Sequence, residues 1–176
     1  KVGHGKDIAT NITGDIAVDN NSRADIKLHG PNSRWRGAFV NPVSFFRMRS
    51  LDVADNNVTL DNGSVWEATS SVAQTLQSLR GGSTADAAGI LNMVDNSGDI
   101  TIENYSGNTV VWYDQVALGD FGDSGNITIN KAAEGSAITL MTDNTGITAF
   151  NGIYKRSDVV KAMQALANKL YYTEAV

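Results

Sequence analysis

The sequence has no cysteine, only two prolines and four glutamates, and no apolar run long enough to cross a bilayer as a helix. Without cysteine, a disulfide framework and thiol chemistry are excluded. Glutamate favours helix interiors, whereas the abundant residues here, 17 Gly, 17 Asn and 15 Asp, tolerate left-handed backbone and turns. This imbalance predicts an all-β chain of short strands joined by tight turns, arranged as a solenoid, a barrel or a sandwich. The 176 residues suffice for one domain with a sizeable core.

The stretch LGDFGDSGNITI from Leu118 contains short motifs of two enzyme classes. Asp120-Phe121-Gly122 matches the magnesium-binding triplet of protein kinases, but the kinase glycine-rich loop and His-Arg-Asp loop are missing. Gly122-Asp123-Ser124-Gly125 matches the nucleophile loop of trypsin-like proteases. That chemistry requires a histidine base, and neither His4 nor His29 lies in a typical catalytic phrase. We therefore interpret the stretch as a loop before a strand and predict no catalytic residues.

One short phrase recurs along the chain in the order turn, apolar, small, apolar, polar. It reads GDIAVDN from Gly14, NNVTLDN from Asn56, GDITIEN from Gly98 and GNITINK from Gly125. Alternation with period two indicates a strand with one buried face. The copies at Ile16, Val58 and Ile100 are spaced by 42 residues, or two turns of about 21 residues, which falls in the range of solenoid repeats.

A regular spacing of this kind favours a β-helix over a sandwich, because each coil of a β-helix buries its apolar face by stacking on its neighbours. Equivalent apolar side chains then form interior ladders, and the copies at 16, 58 and 100 are expected to be equivalent. The predicted core consists of Ile16, Val18, Val58, Leu60, Trp66, Ile100, Ile102, Ile127 and Ile129.

The C-terminal segment has helical rather than strand periodicity. Val159, Met163, Leu166 and Leu170 share one helical face, and Ser157 is placed to cap the N-terminus. We predict β-helix coils in residues 1–153 and an amphipathic helix within residues 154–176. The apolar face of the helix is expected to cover the open end of the coils rather than to bind a cofactor.

The net charge of -5 is unevenly distributed. Residues 23–49 carry six basic side chains and one acidic side chain, a local balance of +5. Either the arginines simply cover the outside of strands or they form a patch for an anionic glycan or lipid. The patch lacks the interleaved aromatic residues of nucleic-acid platforms, so no nucleic-acid partner is expected. The candidate interaction patch is Arg23, Arg34, Arg36, Arg47 and Arg49.

Aromatic and acidic residues each leave alternatives open. The aromatic side chains form either a glycan-stacking surface or interior packing, and interior packing is favoured for Trp66; they are Trp35, Phe45, Phe46, Trp66, Tyr105, Trp112 and Tyr113. The acidic loops DNSGD and DFGDSGN could hold calcium, although neither has the full ligand spacing of a known calcium loop. Most aspartates flank the recurring phrase, where aspartate is a common turn residue. No cofactor or metal ligand is therefore predicted.

The passage VTLDNGSVWEATSSVAQTLQSLRGG from Val58, followed by GILNMVDNSGDITIEN from Gly89, resembles the C-terminal coils of autotransporter (type V secretion) passenger domains, which are pertactin-like β-helices. The similarity is strongest over residues 56–112. Two departures are the longer turn STADAAG from Ser83 and the helix after Ser157. The family phrases are matched by Asn62, Ser64 and Trp66, then by Leu76, Leu79 and Gly81, and then by Leu91, Asn92 and Met93.

The resemblance implies a right-handed, single-stranded parallel β-helix in which Ser71 to Leu79 continues a coil instead of forming a helix. It implies a non-enzymatic fragment of a Gram-negative surface adhesin, associated with virulence, that serves as a stalk or as an autochaperone segment. Its expected location is the cell surface, anchored by its own C-terminal outer-membrane barrel, which this chain does not contain. Expected partners are that barrel and a surface glycan or protein. A secreted polysaccharide-active β-helix enzyme and a trimeric phage fibre remain alternatives.

Overall fold

A computed structural model describes residues 9–19, 21–40, 54–143 and 156–173 of the chain. These residues form fourteen strands, one helix and a short 3-10 helix, Ala85–Ala87. The strands are β1 Asn11–Thr13, β2 Ile16–Ala17, β3 Arg23–His29, β4 Arg34–Gly37, β5 Phe39–Val40, β6 Asp55–Asp61, β7 Val65–Ala68, β8 Gln74–Arg80, β9 Gly89–Asn92, β10 Ile100–Ser106, β11 Asn108–Asp114, β12 Ile127–Ala132, β13 Ala137–Asp143 and β14 Leu170–Tyr172, and the helix is α1 Arg156–Ala167.

The strands form two six-stranded sheets and one two-stranded sheet, and every strand pair is parallel. The first sheet has the order β1-β4-β7-β9-β11-β13, and the second has the order β14-β12-β10-β8-β6-β3. Strands β2 and β5 form the small sheet. From β6 onward, successive strands alternate strictly between the first and second sheets. The all-β, parallel class expected from the sequence is therefore confirmed.

Apolar side chains from adjacent strands of the second sheet pair directly and form the centre of the core. Ile100 lies opposite Ile127, and Ile102 lies between Ile129 and Leu76. Such in-register stacking removes the apolar face of every strand from water, which is the main stabilising contribution in a stack of short strands. Among the predicted core residues, Ile16 is half-buried and packs against the core, while the other eight are buried: Val18, Val58, Leu60, Trp66, Ile100, Ile102, Ile127 and Ile129.

The predicted equivalence of residues 16, 58 and 100 is wrong. Ile16 pairs with Phe39 in the small sheet. Val58 pairs with Leu79, and Leu79 pairs with Tyr105, whereas Ile100 pairs with Gln74. The connections between strands differ in length, so a constant interval in the sequence does not return the chain to the same position in the sheet.

The predicted C-terminal helix forms, but it is shorter than expected. After α1 ends, Leu170–Tyr172 pairs with β12 as the outermost strand of the second sheet. Val159 and Met163 of the predicted apolar face are 42% and 66% exposed, while Ala162 is buried. A Cβ on Gly119 would lie 3.2 Å from the Ala162 Cα, so the helix lies close to the neighbouring loop at this small residue. Leu166 and Leu170 of the predicted apolar face are half-buried and pack against the core.

The segment Ser71 to Leu79 contains strand β8 and no helix, as the resemblance implied. Its apolar residues Leu76 and Leu79 are buried. Helical spacing within a seven-residue strand arises here because two buried positions happen to lie three residues apart. No helix in the described part of the chain is long and apolar enough to span a membrane.

Candidate functional site

The outward face of the first sheet carries two rows of side chains. The alternate residues Trp66, Leu91 and Val111 are buried, so the residues beside them project to the other side of the sheet. Pairing of the strands aligns these projecting residues across the sheet. One row is Asn11, Arg34, Val65, Ile90 and Val110, and the other is Thr13, Arg36, Glu67, Asn92 and Trp112.

A groove of about 440 Å³ lies on this face, and we call it the outer groove. One end of the groove is formed by the turn from Gly30 to Ser33. A hydrogen bond from the Ser33 N–H to the Gly30 carbonyl (3.1 Å) closes this turn. The lining combines an indole, amides, apolar side chains and one ion pair. It consists of Asn11, Pro31, Asn32, Arg34, Val65, Glu67, Ile90, Asn92 and Trp112.

Two arginines and two carboxylates form a network beside and within the outer groove. Arg34 Nη1 lies 3.0 Å from one oxygen of Glu67, and Arg36 Nη1 lies 3.0 Å from the other. Arg36 Nη1 also lies 3.0 Å from Asp95 Oδ2. Hydrogen bonds to Glu67 and then to Asp95 raise the pKa of the Arg36 guanidinium. Because the two positive and two negative charges cancel, the network fixes side chains without giving the surface a net charge.

Trp112 and Asn92 lie side by side at the other end of the outer groove. They are direct partners on strands β11 and β9, and Met141 flanks Trp112 on its other side. The Asn92 Oδ1 accepts a hydrogen bond from the Val94 N–H (2.9 Å). This bond holds the amide in one orientation next to the half-buried indole.

The structure separates the described members of the predicted arginine patch. Arg23 lies on β3 in the second sheet, 2.9 Å from Asp25 and 3.4 Å from Asp55. Its hydrogen bond lowers the pKa of Asp25. Arg34 and Arg36 lie on β4 in the first sheet, within the network described above. Arg47 and Arg49 lie outside the described residues.

Most of the predicted aromatic set fills the interior. Trp35 and Trp66 are fully buried, and Tyr105 and Tyr113 are buried as well. Trp112 is the one member of the described set that lies on the outward face, while Phe45 and Phe46 fall outside the described residues. The sequence did not identify this placement, because strand β11 has apolar residues on both faces and its alternation is ambiguous.

The sequence also missed the groove residues Asn11, Asn32, Glu67 and Asn92. A usable signal existed for two of them. Glu67 follows the predicted core residue Trp66, and Asn92 follows Leu91 in the family phrase, so period-two alternation would place each on the outward face. What the sequence could not provide was the strand pairing that places these two side chains next to each other.

The loop with the enzyme-like motifs is a packed connection. Phe121 is buried with its ring 6.1 Å from that of Tyr113, and the Gly122 N–H donates to Asp120 Oδ1 (2.9 Å). The loop precedes β12, four strands from the strand of His29, which corresponds to about 19 Å at ~4.8 Å per strand. His29 instead contacts Asp61 (3.0 Å), and His4 lies outside the described residues.

The two candidate calcium loops use their polar groups for hydrogen bonds within the fold. Buried Asn96 accepts from the Ser70 N–H (2.7 Å) and donates to the Gly98 carbonyl (2.7 Å). Asp99 Oδ1 accepts from the Asn126 N–H (2.9 Å). Within the described ranges, no three His, Cys, Asp or Glu side chains lie close enough together to hold a metal ion.

The chain was compared with protein-family models, with curated proteins and with solved structures, and none of these comparisons finds a match.

Proposed function

We propose that this chain is a segment of a right-handed, single-stranded parallel β-helix from a Gram-negative autotransporter passenger, where it acts as a non-enzymatic stalk and folding nucleus. In this proposal it is displayed at the cell surface and anchored by an outer-membrane barrel outside this chain. The observation that carries the proposal is the strict alternation of strands β6 to β14 between two all-parallel sheets.

The paired rows of apolar residues support a stack that grows one strand pair at a time. Leu76, Ile102 and Ile129 are in register on three consecutive strands of the second sheet. In a linear stack, each unit is stabilised mainly by its neighbours, so folding can begin at one end and propagate. A segment with this property suits export through a pore, because the part that emerges and folds first provides a template for the strands that emerge after it.

The last elements support a role as a stable starting unit. Strand β14 pairs with β12, and Lys169 Nζ donates to the Ser124 carbonyl (2.6 Å), so the end of α1 is tied to the loop before β12. Lys169 Nζ also lies 5.9 Å from the centre of the Tyr113 ring, within range of a cation–π contact. Pairing with β14 covers the edge of β12 from Ile127 to Ile129, which would otherwise be unpaired.

The carboxylates of the network favour the non-enzymatic proposal over a polysaccharide-active enzyme. A retaining or inverting hydrolase needs one carboxyl group to protonate the leaving oxygen and another to attack or activate water. Both oxygens of Glu67 contact arginines, and Asp95 contacts Arg36. This arrangement uses the two acids as structural partners of arginine.

Surface display tests this proposal. The chain, with an N-terminal epitope, is placed between a secretory signal peptide and an autotransporter barrel in a Gram-negative host, and epitope exposure and protease resistance are measured on intact cells. Leu76→Asp puts a charge in the buried row, whereas the control Gln77→Asp changes the exposed neighbouring residue. We expect display of the parent chain and of Gln77→Asp, and strongly reduced display of Leu76→Asp.

Two results would contradict the proposal in different ways. Equal display of Leu76→Asp would show that folding of this segment does not assist export, and the folding-nucleus role would be rejected. If the parent chain folds in solution by circular dichroism but never reaches the surface in the fusion, the passenger assignment itself would be rejected.

A further inference from the structure

We infer that the outer groove is a binding site for a neutral oligosaccharide. This inference does not depend on the export role, because it rests on the side chains of one sheet face. The groove offers an indole at one end, a fixed ion pair near the other and amides at both ends. No catalytic step is involved.

The charge of the site selects a neutral ligand. Arg34 and Arg36 would attract sulfated or carboxylated glycans if they were unpaired, but Glu67 and Asp95 contact them at 3.0 Å. An anionic ligand would meet guanidinium charges that carboxylates already neutralise, and it would be repelled by those carboxylates, so it gains little Coulomb attraction. Sugar hydroxyls, in contrast, can both donate to Glu67 and accept from Arg34 without breaking the pair.

The remaining groups match the two kinds of surface that a pyranose presents. The face of the Trp112 indole is suited to the apolar C–H face of a sugar ring. Each asparagine amide carries both donors and an acceptor, the combination that vicinal hydroxyls require. Asn92 lies directly beside Trp112 and is held by the Val94 N–H, so little side-chain freedom is lost on binding.

The dimensions and the backbone of the site favour an oligosaccharide over a peptide. Apart from Pro31 and Asn32 in the turn before β4, the lining residues come from five adjacent strands of the first sheet, β1, β4, β7, β9 and β11, a span of about 19 Å at ~4.8 Å per strand. That span exceeds one sugar ring and suits an extended chain. Strands β4, β7 and β9 each pair on both sides, so along these three central strands an extended peptide finds no unpaired edge to extend.

The test begins with a titration of the intact chain. Cellohexaose, mannohexaose and laminarihexaose are added to about 10 mM, well into the range of weak sugar binding, while tryptophan fluorescence is recorded. Trp35 and Trp66 are fully buried, so a saturable change reports Trp112. A heparin hexasaccharide and an unselected library of extended peptides are titrated in parallel. We expect saturable binding of at least one neutral hexasaccharide and none of the heparin fragment.

Variants then locate the site by isothermal titration calorimetry. Trp112→Ala is expected to weaken affinity about tenfold or more, which corresponds to about 1.4 kcal/mol. Asn92→Ala is expected to weaken it several-fold. The matched control Tyr171→Ala removes an exposed aromatic side chain from the second sheet and is expected to leave affinity unchanged. Circular dichroism establishes that each variant is folded.

Several results would overturn the inference. Binding of the heparin fragment alone would assign the face to anionic glycans, and binding of peptides alone would assign it to a protein partner. Absence of a response to all three neutral hexasaccharides, or full affinity in folded Trp112→Ala, would show that the outer groove does not bind neutral oligosaccharides. None of these outcomes bears on surface display, so this inference and the proposed export role fail independently.

Discussion

Trp35 and Trp66 stack face to face in the core, with ring centroids 5.1 Å apart and planes inclined by 5°. They are direct partners on strands β4 and β7. Each indole N–H donates to a glycine carbonyl of the neighbouring strand region: Trp35 to Gly14 (3.0 Å) and Trp66 to Gly37 (3.0 Å). The same type of hydrogen bond, from an indole N–H to a glycine carbonyl, is thus made on two neighbouring strands. It gives the only polar atom of each buried indole a partner.

Trp66→Phe tests the energetic role of this hydrogen bond. The variant retains an aromatic ring but removes the donor to the Gly37 carbonyl and leaves a small void. We expect a loss of about 2–4 kcal/mol in the free energy of unfolding, measured by urea denaturation. The control Trp112→Phe changes a half-buried indole and is expected to cost under about 1 kcal/mol. Equal losses would show that the buried hydrogen bond contributes little.

Gly37→Ala tests the close approach that the stack requires. A Cβ at this position would clash with the Gly14 carbonyl oxygen and lie 2.8 Å from Trp35 Nε1. We expect destabilisation of about 3 kcal/mol, from overpacking and from loss of the Trp35 hydrogen bond. Gly135→Ala is the control, because that glycine has a φ of 78° and open space around it. Its expected cost is only about 1 kcal/mol from backbone strain. A smaller effect at Gly37 than at Gly135 would contradict the packing described.

Local alternation predicted burial well, but it could not predict register. Ile100, Ile102 and Ile127 are buried because a strand of period two has one inward face wherever it pairs. Equivalence between strands depends on the length of each connection, and residue 58 is followed in its row by residue 79 and then by residue 105. The constant interval of 42 residues therefore did not identify which residues pair across the sheet.

The same limit explains why the outer groove was not predicted. Arg23 and Arg34 are near neighbours in the sequence but lie on different sheets. Glu67 and Trp112 are distant in the sequence but line one groove. Charge clustering along a chain predicts a patch only when consecutive strands share a sheet, and here consecutive strands alternate between two.

Tyr113 is expected to make the fold sensitive to alkaline pH. Burial, and secondarily the charge of Asp99, raises the pKa of Tyr113 above its ordinary value of 10.0. Because this tyrosine ionises at lower pH in the unfolded chain than in the folded protein, raising the pH above the ordinary tyrosine pKa favours unfolding. The free energy of unfolding is therefore unaffected by this group below that pKa and falls as pH rises above it. Urea midpoints are therefore expected to fall above about pH 10.

Tyr113→Phe is expected to reduce this alkaline decline, although it also removes the hydrogen bond to the Gly125 carbonyl (3.1 Å) and costs about 1 kcal/mol at neutral pH. Tyr171→Phe, at an exposed position, serves as the control. The assignment to Tyr113 would be refuted by an unchanged decline in Tyr113→Phe relative to the parent chain.

Lys169→Met is expected to loosen the attachment of α1 and β14. The change removes the hydrogen bond to the Ser124 carbonyl and the contact with the Tyr113 ring, while it keeps an unbranched side chain. We expect faster amide hydrogen exchange in residues 156–173, equivalent to about 1–2 kcal/mol of local stability. Lys161→Met, at an exposed position of α1, is the control. Equal exchange rates in both variants would exclude an anchoring role for Lys169.

Trp35, Trp66, Leu91 and Val111 follow one another in a single row of the first sheet. Yet 31 residues separate the first two, 25 the next pair and 20 the last. Residues of one row therefore stack in register even though the number of residues that connect them along the chain varies. Segments can be lengthened, shortened or exchanged in the connections while the stacked interior is inherited unchanged. Proteins with this architecture can therefore evolve different surface loops while they keep the same buried core.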